Sequence, residues 1–329
     1  MACDSLPTYS DVTAAAERLK GKVRKTPVLR HDALDALAGA RIFVKAECLQ
    51  ETGSFKIRGA TNRLLQIPED QRAAGVVAFS SGNHAQGVAR AARLLGMPAL
   101  IVMPSDAPAV KVEGVEADSG EVRFYDRNTE SREEIADRIA AERGAVLVPS
   151  FDDPHIISGQ GTAGLEFVAQ MKEAGEALDH LITPAGGGGL ASGLALALEG
   201  ASPGARVWLA EPVGHDDWTR ALESGQIEEN APGTRSICDA ILTRAPGHLT
   251  FAIGHRLFAG GLVVRDTDVK DAMRAAFRYL RIVAEPGGAA ALAAALACLP
   301  EEMKGKTVGV VVSGGNIDAT EYARILMGG

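Results

Sequence analysis

The chain has 329 residues, 46% hydrophobic and 23% charged, an ordinary composition for a globular protein large enough for two domains. Its 34 Lys and Arg residues against 42 Asp and Glu residues give a net charge of −8, which excludes nucleic acid and anionic membranes as expected partners. No apolar run reaches the length of a membrane span, and residues 1–10 lack a signal-peptide pattern, so we predict a cytoplasmic protein. The four cysteines form no CxxC pair, which argues against zinc and a disulfide framework.

Short apolar segments alternate along the chain with amphipathic, alanine-rich segments. Most of the apolar segments are almost continuously hydrophobic, which is typical of parallel strands covered on both faces. The predicted strands span residues 41–46, 75–80, 99–104, 121–126, 145–150, 180–184, 206–211 and 307–313. The predicted helices include residues 84–95, 131–143, 158–173 and 268–280. This alternation indicates the α/β class with twisted, mainly parallel sheets.

We predict two domains, one of them discontinuous. Residues 75–147 have the strand and helix alternation of a small sheet domain, inserted into a large domain of residues 1–74 and 148–329. Segments rich in Gly and Ser follow predicted strands at 80–84, 186–189 and 313–316. Because ligands of open α/β sheets bind beyond the carboxyl ends of strands, we expect the site in a cleft between the two domains.

Lys56 stands in the segment GSFKIRG, residues 53–59. A lysine beside Phe55 in a Ser- and Gly-rich turn suits a Schiff-base lysine with an aromatic neighbour, because burial keeps such an amine neutral. The alternative is an ordinary helix start, with Ser54 as the N-cap and Lys56 in solvent.

The segment SSGNH, residues 80–84, follows a predicted strand and precedes a predicted helix. This arrangement presents backbone N–H groups and hydroxyls to an anion, so a substrate carboxylate would fit there. The alternative is that Ser81 or Asn83 only caps the helix.

Four consecutive glycines, residues 186–189, lie between a predicted strand and a helix. Without side chains in the way, main-chain N–H groups there can converge on a phosphate. The alternative is a looser dinucleotide fingerprint, with Glu211 at the end of the next strand as the ribose-binding acid.

Two further strand ends carry candidate side chains. Ser313 can hydrogen-bond a ring nitrogen, unless its segment is an ordinary turn. Glu211 and Asp217 bracket the segment EPVGHDD, where two carboxylates and a main-chain carbonyl could bind one hard cation. The alternative is that Asp216 or Asp217 caps the following helix.

Taken together, these segments resemble the serine/threonine dehydratase and serine racemase family, a fold-type II group of pyridoxal-phosphate (PLP) enzymes. The resemblance extends from about Thr26 to Asn316 and includes GQGT at 159–162 and EPG at 285–287. It implies a fold-type II architecture with the active site between a large and a small domain, PLP as cofactor, an amino-acid substrate and a homodimer.

The resemblance also implies roles for individual residues. Lys56 would carry PLP as a Schiff base and move the substrate Cα proton, with Ser81 as a second catalytic residue on the opposite face of the cofactor. The other implied PLP contacts are Phe55, Asn83, Gly186, Gly187, Gly188, Gly189, the Leu190 amide and Ser313. The implied contacts of the substrate carboxylate are Ser80, Ser81 and His84. Glu211, the His215 carbonyl and Asp217 match a cation site of the racemase branch, for Mg²⁺ or else Ca²⁺ or Mn²⁺.

The implied reaction is β-elimination from a small L-β-hydroxy amino acid (serine, threonine or 3-hydroxyaspartate), which gives a 2-oxo acid and ammonia. Arg132 and Arg244 would suit a second substrate carboxylate, so 3-hydroxyaspartate is our hypothesis, and the alternative is that both are surface arginines. Ser81 and the cation segment leave an amino-acid racemase as an alternative on the same site. A nicotinamide-dependent dehydrogenase is a remote alternative.

Overall fold

The structure is a computed structural model that describes residues 6–80, 82–107 and 109–328, and the following elements lie within these ranges. The strands, β1 to β10 in chain order, are Val28–Leu29, Arg41–Ala46, Val76–Phe79, Ala99–Pro104, Glu121–Tyr125, Val146–Leu147, His180–Pro184, Arg206–Pro212, Phe258–Val264 and Thr307–Val312. The helices, α1 to α13 in chain order, are Tyr9–Leu19, Asp32–Ala38, Lys56–Leu65, Asn83–Leu94, Ala109–Glu116, Arg132–Arg143, Pro154–Glu173, Gly189–Ala201, Asp217–Ser224, His248–Leu257, Asp266–Ala275, Pro286–Ala297 and Ala319–Leu326.

The larger sheet has six strands in the order β1-β2-β10-β7-β8-β9. Every neighbouring pair is parallel except β1 and β2. Strand β10, TVGVVV, lies near the middle and is buried along its whole length. A strand of Thr and Val residues interrupted only by Gly309 and buried throughout needs cover on both faces, which the flanking helices provide.

The smaller sheet has four parallel strands in the order β5-β4-β3-β6, all drawn from residues 76–147. These limits lie inside the predicted small domain. The core beside this sheet also takes Ile57, Ala60 and Leu64 from α3, so packing joins it to a helix outside that range. The domain boundary itself therefore stays a prediction.

Alanine and glycine allow close helix packing in two places, around α12 and where α3 crosses α4. Helix α12, PGGAAALAAALA, is buried from Pro286 to Ala295 within the core of the larger sheet. At the crossing of α3 and α4, a Cβ on Gly87 would lie 3.1 Å from the main-chain carbon of Lys56. Glycine at position 87 thus lets the two helices that begin at the cleft approach each other.

Three predicted strands, at 41–46, 99–104 and 180–184, have the observed bounds. The predicted strand 145–150 is too long, because only Val146–Leu147 pairs with β3. Strand β9, FAGGLVV, is absent from the prediction because its glycine pair is typical of a turn.

Two predicted helices have different ends in the structure. The helix predicted at 158–173 begins at Pro154, where the Asp153 side chain accepts hydrogen bonds from two backbone N–H groups. The helix predicted at 268–280 is α-helical only to Ala275 and continues as a π-helical turn that ends at Arg281, with φ +58°. None of the described helices is both long and apolar enough to span a bilayer.

Candidate active site

The carboxyl ends of β3, β7, β8 and β10 lead into the segments predicted to bind ligands. Side chains join the two sheets there, because Asn83 at the start of α4 contacts Glu285 and Asn316 beside β10. Asn83 and Glu285 are 202 positions apart in the chain. The cleft predicted from the strand ends is therefore built from both sheets, in the fold-type II arrangement that the resemblance implied.

Lys56 is the first residue of α3, and its side chain is partly buried. Its Nζ donates to the Ser150 carbonyl at 2.7 Å and lies 5.3 Å from the centre of the Phe55 ring. Burial lowers the pKa of Lys56 to about 8, so much more of this amine is neutral near pH 7 than in an ordinary lysine. The alternative of a solvent-exposed lysine capped by Ser54 is wrong, because Phe55 is the N-cap and Ser54 is buried.

A buried ionic network anchors the first turn of α3. Arg58 donates to Glu47 at 2.7 and 2.8 Å and to Glu166 at 2.8 Å, and Lys45 donates to Glu166 at 2.9 Å. Burial opposes the charge on Arg58, but Glu47 and Glu166 outweigh it and raise the pKa of the guanidinium. Because Arg58 is two residues from Lys56, this network fixes the helix turn that carries the lysine.

The carbonyls of Gly186 and Gly187 are held by side chains on one side of the glycine run, so the following N–H groups point away from those side chains. The Gly186 carbonyl accepts from Trp218 Nε1 at 2.7 Å, and the Gly187 carbonyl accepts from Thr250 Oγ1 at 2.7 Å. In a trans peptide the N–H points opposite to the C=O, so the N–H groups of Gly187 and Gly188 face the other side. Gly188 has φ +94°, and a Cβ there would overlap the Trp218 ring.

Helix α8 adds the remaining donors of this anion-binding segment. Gly189 and Leu190 form its first turn, whose N–H groups have no partner within the helix. No hydrogen bond from these N–H groups to other described residues is observed. The loop and the helix N-terminus together can bind a phosphate group.

Asn83 is held in one orientation by two neighbouring side chains, buried Glu285 and partly buried Asn316. Its Nδ2 donates to Glu285 Oε1 at 2.5 Å, and its Oδ1 accepts from Asn316 Nδ2 at 2.8 Å. This leaves the second Nδ2 proton available for a ligand oxygen. Burial raises the pKa of Glu285 to about 8. The alternative in which Asn83 caps α4 is wrong, because Gly82 is the N-cap and the Asn83 side chain points into this contact.

The turn before α4 is only partly described. Ser80 Oγ accepts from the Gly82 N–H at 3.2 Å, whereas Ser81 lies outside the described residues. His84 is buried, and its Nε2 must donate to the Val148 carbonyl at 3.0 Å. Burial first, and the nearby Lys56 charge second, lower the pKa of His84 to about 3. The neutral ring therefore offers no N–H to a carboxylate, which leaves the backbone N–H of His84 as the donor.

Ser313 and Phe55 meet at the end of β10. The Phe55 N–H donates to the Ser313 carbonyl at 3.1 Å, and a bridge between Ser54 and Gly314 continues this pairing. Ser313 is buried. The pairing places the segment before Lys56 directly beside the serine predicted to face a ring nitrogen.

The two candidate substrate arginines have different surroundings. Arg132 has a 47% exposed side chain, bonds Glu133 at 2.8 Å and lies 5.4 Å from the centre of the Phe79 ring, next to the Ser80 turn. Arg244 has an 80% exposed side chain and bonds Glu229 at 2.9 Å. Arg244 thus has the exposed position of the alternative interpretation, whereas Arg132 lies at the edge of the site.

The predicted cation segment brings two buried carboxylates together. Glu211 accepts from the N–H groups of Trp218 and Thr219 at 2.9 Å each, and Asp217 Oδ1 accepts from Asn230 at 2.6 Å. Among described residues, Asp217 Oδ2 is buried without a hydrogen-bond partner. Burial, with the Asp217 charge adding to it, raises the pKa of Glu211 to about 8, and burial raises that of Asp217 to about 6.

Two buried acids with raised pKa values fit a cation, which would restore the charge of both. Asp216 is the N-cap residue of α9, in agreement with the capping alternative by position, but its side chain makes no capping hydrogen bond, and Asp217 is the first helical residue. Within the described ranges no group of three His, Cys, Asp or Glu side chains is arranged for a metal. The His215 side chain contacts Thr234 Oγ1 through Nε2 at 3.1 Å, and the His215 carbonyl is the third ligand that the resemblance implied.

Sequence reasoning gave no role to several residues that shape the site. Glu285 orients Asn83, Trp218 and Thr250 hold the glycine run, and Asp152 accepts three N–H groups at the start of α10. Glu285 precedes a proline at a helix start, a visible signal for a helix boundary but not for contact with Asn83. No local sequence pattern predicts the contacts of Trp218, because they join α9 to β8 and to the glycine run.

A family model described as "Pyridoxal-phosphate dependent enzyme" matches residues 19–314. The chain belongs to this family. The membership agrees with the partly buried Lys56 of lowered pKa and leaves the nicotinamide alternative without support.

Relatives within this PLP family match nearly the whole chain. An L-threo-3-hydroxyaspartate ammonia-lyase of Pseudomonas sp is 46% identical over 98% of this chain and 99% of its own length. A serine racemase of Schizosaccharomyces pombe is 41% identical over 98% of both chains. The structure of maize serine racemase superposes with a TM-score of 0.92 at 38% identity, covering 98% of both chains. These matches confirm the predicted fold-type II PLP architecture.

Proposed function

We propose that this protein uses PLP to eliminate water from a small L-β-hydroxy amino acid, with 3-hydroxyaspartate as its preferred substrate. The products are a 2-oxo acid and ammonia. The observation that carries the proposal is Lys56, a partly buried lysine of lowered pKa in a PLP-family cleft. Its amine is suited both to attach the cofactor and to move a proton.

The cofactor would be held at both ends of its ring. The N–H groups of Gly187, Gly188, Gly189 and Leu190 would bind its phosphate, while the carbonyls of Gly186 and Gly187 keep the loop in place. Asn83 would donate its free Nδ2 proton to the ring hydroxyl. Phe55 would pack on the ring. Ser313 would face the ring nitrogen with a neutral hydroxyl that does not force protonation there.

When bound, PLP supplies an electron sink for negative charge at the substrate Cα. Neutral Lys56 accepts the Cα proton, and the Cα–Cβ double bond forms as the C–O bond at Cβ breaks. The leaving oxygen takes up the proton that Lys56 removed and departs as water. The released enamine tautomerises to an imine, which water hydrolyses to the 2-oxo acid and ammonia. Ser80 and the backbone N–H groups at the start of α4 would orient the substrate carboxylate, and the resemblance assigns Ser81 to the same carboxylate.

3-Hydroxyaspartate has a second carboxylate, and the proposed preference for it requires a cationic side chain that binds this group. Arg132 lies at the edge of the site over Phe79, and its guanidinium can grip a carboxylate with two parallel hydrogen bonds. The name of the Pseudomonas relative supports the same substrate class. Arg244 is the other candidate, and it would have to leave Glu229 to take part.

Racemisation is the second candidate function, because the Schizosaccharomyces pombe relative is named a serine racemase. A racemase would return a proton to Cα from the face opposite Lys56, the role that the resemblance implied for Ser81. The two reactions share every cofactor contact named above. They differ in whether the C–O bond at Cβ breaks, so their products distinguish them.

We also propose a Mg²⁺ site formed by Glu211, Asp217 and the His215 carbonyl. Its support is the buried, unpartnered Asp217 Oδ2 among described residues, together with the raised pKa values of both acids. Oxygen ligands of this kind suit Mg²⁺ or Ca²⁺. The cation would be structural, because its ligands belong to the β8–α9 connection rather than to the Lys56 turn.

For the assembly we propose a cytoplasmic homodimer with residues 75–147 as a small domain. The family resemblance supports the dimer and the domain division, and the four-stranded sheet within residues 76–147 supports the domain limits. Light scattering on the purified holoenzyme would measure the oligomeric state, and a monomeric mass would contradict the dimer.

The test of the proposed function starts from the visible absorption of the purified holoenzyme. We expect a yellow band that borohydride abolishes, with the reduced cofactor found by peptide mapping on Lys56. Lys56→Ala should lack the band. Lys111→Ala is the matched control, since Lys111 lies at the cleft but is held by Asp239 at 2.6 Å, and it should keep the band.

A substrate panel then separates the candidate reactions. L-Serine, L-threonine and both 3-hydroxyaspartate diastereomers are incubated with the enzyme, and 2-oxo acid and D-amino acid are measured over time. Fastest 2-oxo acid release from one 3-hydroxyaspartate diastereomer supports the proposal. D-Amino acid formed ahead of 2-oxo acid favours the racemase, and a colourless protein that gains no band with added PLP contradicts both.

A further inference from the structure

Trp218 connects two parts of the site that are separate in the sequence. Its indole Nε1 donates to the Gly186 carbonyl at 2.7 Å, and its backbone N–H donates to Glu211 Oε1 at 2.9 Å. The side chain is fully buried and packs against Phe258, with ring centres 5.1 Å apart. A single rigid residue thus contacts both the glycine run and a carboxylate of the proposed cation site.

The backbone of Trp218 adjoins both carboxylates. Glu211 holds the Trp218 N–H from strand β8, and Asp217 is the residue just before it. Among described residues, Asp217 Oδ2 is buried and unpartnered, so it can take a new ligand without breaking a hydrogen bond. A cation shared by Glu211 and Asp217 would therefore fix the main chain on both sides of the Trp218 amide nitrogen.

The indole ring of Trp218 contacts the glycine run, so the position of the Trp218 backbone affects the position of that loop. The Gly186 carbonyl accepts its N–H, and a Cβ on Gly188 would overlap the ring, so the ring supports the loop from beneath. A shift of the first turn of α9 would either lose the indole hydrogen bond or press on Gly188. The orientation of the loop N–H groups depends on both contacts.

We infer that Trp218 is a positioning residue that couples cation binding at Glu211 and Asp217 to cofactor binding at the glycine run. The inference rests on the proposed function, since it needs PLP phosphate at residues 186–190. Coupling of two binding equilibria is reciprocal: Mg²⁺ should raise the affinity for PLP by the same factor by which PLP raises the affinity for Mg²⁺. This factor should be about 5 or more.

The experiment measures both affinities on the apoprotein. PLP is titrated by visible absorption with and without saturating Mg²⁺, and Mg²⁺ is titrated by calorimetry with and without PLP. The wild-type protein should give the same coupling factor in both directions. A factor of one in the wild-type protein would overturn the inference.

Trp218→Phe tests the residue itself, because phenylalanine keeps aromatic packing but lacks the indole N–H. The variant should bind PLP roughly tenfold more weakly, since the partly buried Gly186 carbonyl loses its donor. Its coupling factor should fall close to one while Mg²⁺ affinity of the apoprotein stays unchanged. An unaltered coupling factor would overturn the inference.

Trp208→Phe is the matched control, since the indole of Trp208 donates elsewhere, to His180 at 3.3 Å. It should keep the wild-type coupling factor. This control also leaves Trp218 as the only tryptophan. Mg²⁺ added to its apoprotein should shift the Trp218 emission, and an unmoved emission would contradict the inference even if Trp218→Phe does not fold.

Failure of the inference and failure of the proposed function give different results. A wild-type protein without a borohydride-sensitive band contradicts the proposed function, and the inference falls with it. A protein that binds PLP on Lys56 but shows no coupling, or the same coupling in Trp218→Phe, contradicts the inference alone.

Discussion

At the residue scale, the decisive feature is the environment of the Lys56 amine. It is held by the Ser150 carbonyl at the first turn of α3, in a place where burial disfavours its charged form. His84 is kept neutral by the same burial, with the Lys56 charge adding to the effect. The cleft therefore offers one amine ready to react and an imidazole that does not compete for protons near neutral pH.

The lowered pKa of Lys56 predicts how the apoenzyme takes up PLP. Only the neutral amine attacks the aldehyde, so the rate constant of attachment should rise with pH and level off above about 8. Stopped-flow absorption at saturating PLP over a pH series measures it. A rate that keeps rising to the ordinary lysine value of 10.5 would show that burial does not tune this amine.

Arg132 predicts a change in specificity rather than in chemistry. Arg132→Ala should lower kcat/KM for 3-hydroxyaspartate roughly 10- to 100-fold, because one charge-assisted pair of hydrogen bonds is lost. The kcat/KM for L-serine should change by no more than a factor of about 2. Arg138→Ala, on the exposed face of the same helix, is the matched control and should change neither. Equal losses on both substrates would argue for a structural role instead.

At the element scale, the site depends on how the loops after β3, β7 and β10 are held. The glycine run is tied back by α9 and α10 through Trp218 and Thr250. The start of α3 is tied to β10 and to the buried ionic network of Arg58. Each binding loop is thus fixed by an element far from it in the sequence.

Gly188→Ala tests this arrangement directly. The new Cβ would overlap the Trp218 ring at φ +94°, so we expect a loss of about 2 kcal/mol in unfolding free energy and at least about tenfold weaker PLP binding. Urea unfolding and absorption titration measure the two effects. Gly204→Ala is the control, since a Cβ there meets nothing within 4 Å. Similar behaviour of both variants would show that the loop is not fixed by Trp218.

At the scale of the whole molecule, buried acids link stability to pH and to the cation. The pKa of Glu211 and of Glu285 is raised by burial from 4.5 to about 8, and that of Asp217 from 3.8 to about 6. An acid whose pKa is raised in the folded protein binds a proton more tightly there than in the unfolded chain. Its contribution to stability is full below the unfolded pKa and is lost as pH rises through the folded pKa.

We therefore expect the melting temperature of the metal-free apoprotein to fall between about pH 5 and pH 8. Mg²⁺ should raise it, and more at the higher pH, because the cation binds ionised carboxylates. Differential scanning calorimetry across this range measures both effects. Glu211→Gln should remove the Mg²⁺ effect but keep the slope due to Glu285. A Mg²⁺ effect independent of pH would contradict the site.

The sequence by itself determined the α/β class, most strand positions and the segments that form the cleft. Continuous apolar runs, glycine turns and a lysine beside a phenylalanine are local patterns, and the strands at 41–46, 99–104 and 180–184 match them residue by residue. The family resemblance rested on such segments, and the membership is confirmed over residues 19–314.

Only the tertiary structure decided how these segments support one another. Glu285 meets Asn83 across 202 positions, and Trp218 meets Gly186 across 32, contacts for which no local pattern exists. Tertiary packing also leaves Arg244 exposed, where it bonds Glu229. It places the His84 ring against the Val148 carbonyl, to which Nε2 donates a hydrogen bond. Burial, hydrogen-bond partners and pKa depend on which distant groups share a space, and chain packing alone determines that.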